Sequence, residues 1–281
     1  MIRIITDSAA DLEPIEYYRL DVTCIPLTVM FGDREYQENR NLSKEQFYDL
    51  LTTSGFDPKT AQASPQILLD LFEDAKQAGD DAIYITLSSA LSGTYQTALA
   101  TQAMVDHPGC HVVDSRNATG GQRLLVEHAV KLRDEGKSAS EIVEALESLR
   151  DRIVLYACID TLEYLYRGGR ISHTAYKLGS LAQIKPIISV DVQGRVVVPA
   201  KAIGMRKGMV FLCKRLDHSP MDETFPIYSM YTQNRQCGEA LADLLQIRGY
   251  DVPPERIMCV GAAIGSHIGP NACGLVYVAK E

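Results

Sequence analysis

Ser92 and His267 are the two side chains in this sequence most open to a chemical reading, and each sits in a segment too polar and glycine-rich to be explained by packing alone. The first segment, Leu87-Ser88-Ser89-Ala90-Leu91-Ser92-Gly93-Thr94-Tyr95, follows an apolar run and leads into a helical pattern. Its hydroxyls would lie beside the open amides of a helix N-terminus, a place suited to an anionic head group. The plainer reading is that Ser92 and Thr94 only cap that helix. The second segment, Val260 to Pro270, holds His267 in a loop punctuated by Gly261, Gly265 and Gly269. Backbone freedom on both sides of an imidazole suits close approach to a ligand, although lone histidines are more often structural. A third segment, Lys59-Thr60-Ala61-Gln62-Ala63-Ser64-Pro65, reads as a polar loop in which Thr60 can donate to an oxygen and Ser64 can cap the next helix. Arg170, in Arg167-Gly168-Gly169-Arg170, and Arg206, in Gly204-Met205-Arg206-Lys207, could fork onto a carboxylate or phosphate, and surface solvation explains either equally well.

The familiar enzyme signatures are missing. There is no G-x-x-x-x-G-K-[ST] loop and no G-x-G-x-x-G, so nucleotide binding has no direct support. Ser92 lacks the glycine two positions earlier that a G-x-S-x-G elbow requires, and no H-E-x-x-H helix offers a metal site. Asp7, Asp11 and Asp114 adjoin strand-like runs and are expected to hold turns.

The elements that must position these residues alternate in the first half. Ile2–Ile5, Ala82–Leu87 and Val112–Val113 read as strands, and 43–52, 64–78 and 93–104 as helices, which argues a parallel sheet covered by helices. Pro65 at a first helical position, Gly79 at a helix end, and a capping box of Ser138 with Glu141 mark the boundaries. In the second half, Ile187–Val190 and Val196–Val198 flank Gln193-Gly194 as an expected hairpin. Strands at 227–231, 257–260 and 274–278, with a helix over 235–248, complete it. The expected architecture is therefore α/β with two domains: a Rossmann-like parallel domain over 1–153, and an α/β domain with a mixed or antiparallel sheet over 154–281. No Pro/Ser-rich linker separates them, so a ligand site between the two is expected.

Bulk properties narrow the function. A chain of 281 residues with 46% hydrophobic and 23% charged residues is globular. A net charge of -8 repels phosphate backbones and anionic membranes, so nucleic acid is not an expected partner. The opening Met1-Ile2-Arg3-Ile4-Ile5-Thr6-Asp7 reads as a strand rather than a leader, and stable membrane insertion is not expected. A cytoplasmic location follows as the expectation, with the seven cysteines, none in a C-x-x-C pair, as reduced thiols.

Taken in order, Thr6-Asp7-Ser8, the Thr60–Pro65 loop, Ser88-Ser89 with Leu91-Ser92-Gly93-Thr94, Asp114-Ser115, Gly168-Gly169-Arg170-Ile171, Lys185-Pro186-Ile187 and the His267 loop resemble the DegV family across nearly the whole chain. The resemblance implies a carrier without catalysis of its own that holds one long-chain fatty acid, such as palmitate or oleate, in a tunnel between two domains. It further implies a separate fatty acid kinase, to which the carboxylate is presented for acyl-phosphate formation, in the service of phospholipid metabolism. Carried over by motif, Thr60, Ser92 and His267 bind the carboxylate, while Arg206 contributes to phosphorylation or kinase contact. Arg170, Gly93, Thr94 and Gly265 support them. No cofactor and no metal are implied. The chain departs from the family pattern at Thr60-Ala61-Gln62-Ala63-Ser64, where T-S-Q-P-S is usual, and at Gly269-Pro270-Asn271-Ala272, where G-P-G-A is common. The competing readings are a serine esterase or a phosphoryl transferase with its site around Ser92 and His267, and a regulatory protein that holds no lipid.

Overall fold

The structure is a computed structural model that describes residues 1–177 and 183–281. In the first part of the chain the strands are β1 (Ile2–Asp7), β2 (Val22–Ile25), β3 (Thr28–Phe31), β4 (Arg34–Gln37), β5 (Lys59–Ala61), β6 (Asp81–Thr86) and β7 (Cys110–Asp114). Between and after them lie helices α1 (Pro14–Leu20), α2 (Lys44–Thr53), α3 (Pro65–Ala78), α4 (Thr94–Val105), α5 (Gly120–Asp134) and α6 (Ala139–Arg150). The remainder supplies strands β8 (Ile153–Cys158), β9 (Ile184–Val190), β10 (Val196–Ile203), β11 (Tyr228–Tyr231), β12 (Ile257–Cys259) and β13 (Cys273–Val278). Its helices are α7 (Glu163–Arg167), α8 (His173–Lys177), α9 (Met205–Cys213), α10 (Arg215–His218), α11 (Arg235–Ile247) and α12 (Ala262–Ile268).

Three sheets result. A four-stranded sheet of order β2-β1-β6-β7 is parallel throughout, as the alternation of elements requires. A six-stranded sheet of order β10-β9-β8-β13-β11-β12 is mixed, with β11 and β12 its one parallel pair. The third, β4-β3-β5, is a small antiparallel sheet. Its β5 corrects the expectation of a loop at Thr60, because Thr60 pairs with Val29 in a ladder. The expected division at residue 153 falls at the start of β8, where the mixed sheet begins.

Local chemistry explains most boundaries. α6 and α2 each begin with a capping box, Ser138 with Glu141 and Ser43 with Gln46. α3 starts on Pro65 and stops at Gly79, whose φ of +68° suits a residue without a Cβ. Ser64, expected to cap α3, makes no capping hydrogen bond; proline at the first helical position already removes one donor that would need a partner. The segment read as a loop around His267 is instead α12. Gly265 in it packs against α2, where a Cβ would come within 2.7 Å of both Phe47 and Tyr48. That glycine serves helix packing and does not line the cavity, contrary to the ligand-approach reading.

The largest hydrophobic cluster joins the parallel and mixed sheets, running from Ile4, Ile83 and Tyr84 to Leu155, Met230 and Val276. α5 lies between them, touching β1 and β6 on one side and β8 and β13 on the other. The mixed sheet has two apolar faces. Ile187 points to the side covered by α9 and α11, whereas its neighbour Ile188 faces the other way, as strand alternation dictates.

Candidate functional site

A cavity of about 790 Å³, mouth included, lies where the carboxyl ends of the parallel strands meet the second face of the mixed sheet. Leu27, Leu87 and Ala118 follow β2, β6 and β7, and close one side; Leu155, Ile188, Val190 and Val196 of the mixed sheet close the other. Ligand sites in open α/β sheets form at this end because the connecting loops diverge there. The walls are mostly apolar; among the polar lining residues Thr60, Gln62, Ser92, Arg170 and His267 form one corner, while Thr119 and Ser189 stand outside it with their hydroxyls turned to the Met230 sulfur and the Leu155 carbonyl.

Each of these is held by its element. Thr60, on β5, places its hydroxyl 2.9 Å from Nε2 of His267 in the last turn of α12. Gly168 leaves room for the imidazole, since a Cβ there would overlap Nδ1 of His267. That Nδ1 is buried and unpartnered among the described residues. A buried orphan N–H is costlier than an orphan lone pair, so the favoured tautomer carries its proton on Nε2. Nε2–H then donates to Thr60, freeing the threonine hydroxyl to donate onward. Burial, and secondarily the positive charge of Arg170, lower the His267 pKa from 6.5 to about 4, so the ring is neutral.

Ser92 stands just before α4. Its Oγ is 2.9 Å from the Thr94 hydroxyl and accepts a hydrogen bond from the Thr94 amide, so the pair does cap α4 in part. Thr94 in turn accepts from the Ala63 amide at 3.3 Å, tying the Thr60 segment to the start of α4. Gly93 has the same function by omission: a Cβ would come within 2.5 Å of the Gln62 side chain. Arg170 donates through Nε to the Leu91 carbonyl at 3.0 Å and through its fork to the Gly168 carbonyl, with no carboxylate partner among the described residues. Burial alone lowers its pKa. Leu91, Ser92, Arg170 and Val196 line both this cavity and an open polar groove that also contains Ser89, Gln96 and Arg195.

The aspartates hold turns, as their positions suggest. Asp7 accepts from the amides of Ala9 and Leu87, Asp114 from Ser89 and Arg116, and Asp11 from Gly261. Burial raises Asp7 to about 6 despite those donors. Two further contacts clasp the halves of the chain together. Ser88 donates to the carbonyl of Gly194 in the β9–β10 turn at 2.8 Å, and Tyr48 donates to the carbonyl of Val260 at 2.9 Å. Gly194 has φ of +79°, and a Cβ there would overlap the Ser88 hydroxyl.

Over residues 1–280 the sequence matches the family model described as "Uncharacterised protein, DegV family". The chain belongs to the DegV family. A DegV domain-containing protein of Clostridium perfringens is 34% identical to it over 284 residues, covering 98% of this chain and 96% of the relative. Among solved structures, one described as fatty acid binding of a DegV family protein from Thermus thermophilus is similar with a TM-score of 0.88, 28% identity and 99% of each chain covered. DegV of Bacillus subtilis, described as a fatty acid binding protein, is similar with a TM-score of 0.84, 27% identity and the same coverage.

On this DegV fold, Thr60, Ser92, His267 and Arg170 share one cavity. Thr94 and Gly93 shape its corner from behind. Arg206 does not line it: the residue is exposed at the start of α9, which covers the opposite face of the mixed sheet. The contribution expected of Arg206 can therefore only be made toward the outside. Gly168 and Thr119 were not singled out for these places by sequence reasoning. Thr119 lines the cavity with φ of +48° and ψ of -130°, a conformation a β-branched residue rarely takes. Its position in Asn117-Ala118-Thr119-Gly120-Gly121 after β7 carried no signal of that strain. Asn271, where the family often has glycine, adopts φ of +59°, so asparagine fills the left-handed position here.

Proposed function

We propose that this chain is a carrier that holds one long-chain fatty acid, such as palmitate or oleate, and presents its carboxylate to a separate fatty acid kinase. The observation that carries the reading is the cavity itself: mostly apolar walls with a polar corner at Thr60, Ser92 and His267. The solved relatives described as fatty acid binding support it. In this reading the Thr60 hydroxyl, oriented by His267 Nε2–H, and the Ser92 hydroxyl donate to the carboxylate. A neutral imidazole and two hydroxyls fix the head group without a full salt bridge. Affinity comes from the tail: an acyl chain of about 16 carbons offers on the order of 10 kcal/mol of gross transfer energy before ordering costs. The carrier needs no cofactor and no catalysis of its own, and it works in the cytoplasm beside a kinase that makes acyl phosphate. The esterase alternative needs Ser92 activated by His267, whereas Ser92 bonds to Thr94 and His267 to Thr60.

Mass spectrometry of lipid released by denaturing the purified protein tests this directly. One fatty acid per chain, depleted in Ser92→Ala and His267→Ala, is the expected result. A lipid-free chain that also fails to take up added palmitate or oleate overturns it. Acyl-phosphate formation by a fatty acid kinase, dependent on this chain, tests the second half of the proposal.

A further inference from the structure

A second, smaller cavity, about 330 Å³ with its opening included, adjoins the first and shares Thr119, Leu155, Ile188 and Ile268 with it. Its floor is one cross-strand row of the mixed sheet. Met230 on β11 is paired with Gly274 on β13, Gly274 with Ala157 on β8, and Ala157 with Ile188 on β9. All four line the cavity, so two small residues between two large ones form a trough across the sheet. Met230 closes its far end. A Cβ on Gly274 would come within 2.8 Å of the Met230 Cε, one on Gly120 within 2.9 Å of the sulfur, and the Thr119 hydroxyl lies 3.7 Å from that sulfur. An unbranched thioether adapts readily to what lies beside it.

We propose that this trough receives the distal end of the bound acyl chain, and that Ala157, Gly274 and Met230 set the chain length the protein accepts. The inference rests on the fatty-acid reading above and names the residues that give it specificity. The polar corner lies in the first cavity only, and the second presents no polar surface, so a chain anchored by its carboxylate must lead with its methyl end. Thr119, the strained residue, stands in the wall common to both spaces.

Competition binding of saturated fatty acids from 12 to 20 carbons to the delipidated full chain tests this. Each methylene denied apolar surroundings costs about fourfold in affinity. Ala157→Val and Gly274→Ala, which shallow the trough, should weaken binding of the longest acids by about tenfold or more relative to the shortest. Met230→Ala should shift the preference the other way, and it decides the matter if the filling variants fail to fold. Variants that bind with the wild-type length profile overturn the assignment while leaving the carrier function intact. A wild-type chain that binds none of the acids overturns both.

Discussion

His267 is a neutral base in a place that punishes its charge. Its pKa lies near 4 because of burial and the nearby Arg170, against an ordinary 6.5. The unfolded chain therefore binds a proton over a range in which the folded chain does not, and the folded state loses stability as pH falls from about 6.5 toward 4. The loss reaches up to about 3 kcal/mol by pH 4. Burial raises Asp7, Asp11 and Glu38, which acts in the opposite sense and favours the fold as pH falls, but those groups are common to wild type and variant. Denaturant unfolding of the wild type and His267→Gln from pH 7.5 to 4 should thus show the wild type losing ground against the variant on acidification. Parallel curves would mean that the imidazole is not desolvated as its surroundings demand.

The element that carries His267 is short and is held from its far end. α12 has only 7 residues with a glycine in its middle, so propensity cannot sustain it. Two buried acids do. Glu38 accepts from the amides of Ala262 and Ala263, and Asp11 from Gly261, while Ser8 donates to Glu38 at 2.7 Å. Glu38→Ala would orphan those amides in a site where the side chain is 1% exposed, costing about 1–3 kcal/mol. It should also weaken fatty acid binding, since α12 sets the distance from His267 to Thr60. Unchanged stability and unchanged binding, measured by urea melts and lipid titration, would show that packing against α2 suffices. This anchoring explains why α12 read as a loop: the forces that form it come from residues more than 200 positions earlier, which periodicity cannot register. By contrast, α6 and the β9–β10 hairpin were legible because their signals are local, a Ser138–Glu141 box and a Gly194 turn between apolar runs. The small antiparallel sheet had a local signal too, although the expected strands did not include it. Gly32-Asp33 joins Phe31 to Arg34, with φ of +58° at Gly32, a glycine-led two-residue hairpin turn. The cavity corner was legible in part: Thr60, Ser92 and His267 were reachable through motif order, whereas Gly168 and Thr119 act through space and backbone strain, which a sequence does not display.

At the scale of the whole molecule, the parallel and mixed sheets are not independent bodies. The hydrophobic cluster that joins them includes Ile4, Tyr84 and Leu125 from one part, and Leu155, Met230 and Val276 from the other. Separating them would expose that surface, so calorimetry should record one cooperative transition with equal calorimetric and van't Hoff enthalpies. Two resolved transitions would mean that the shared cluster contributes little. The clasp between Ser88 and the Gly194 carbonyl, and its counterpart from Tyr48 to the Val260 carbonyl, also bear on how a bound molecule leaves. A ligand filling the cavity would still face its mouth beside Ser92 and Arg170, so the two clasps limit how far the halves part around it and do not seal it in. Its rate of departure should then follow how firmly the occupant itself is held, falling steeply from a short acyl chain to a long one.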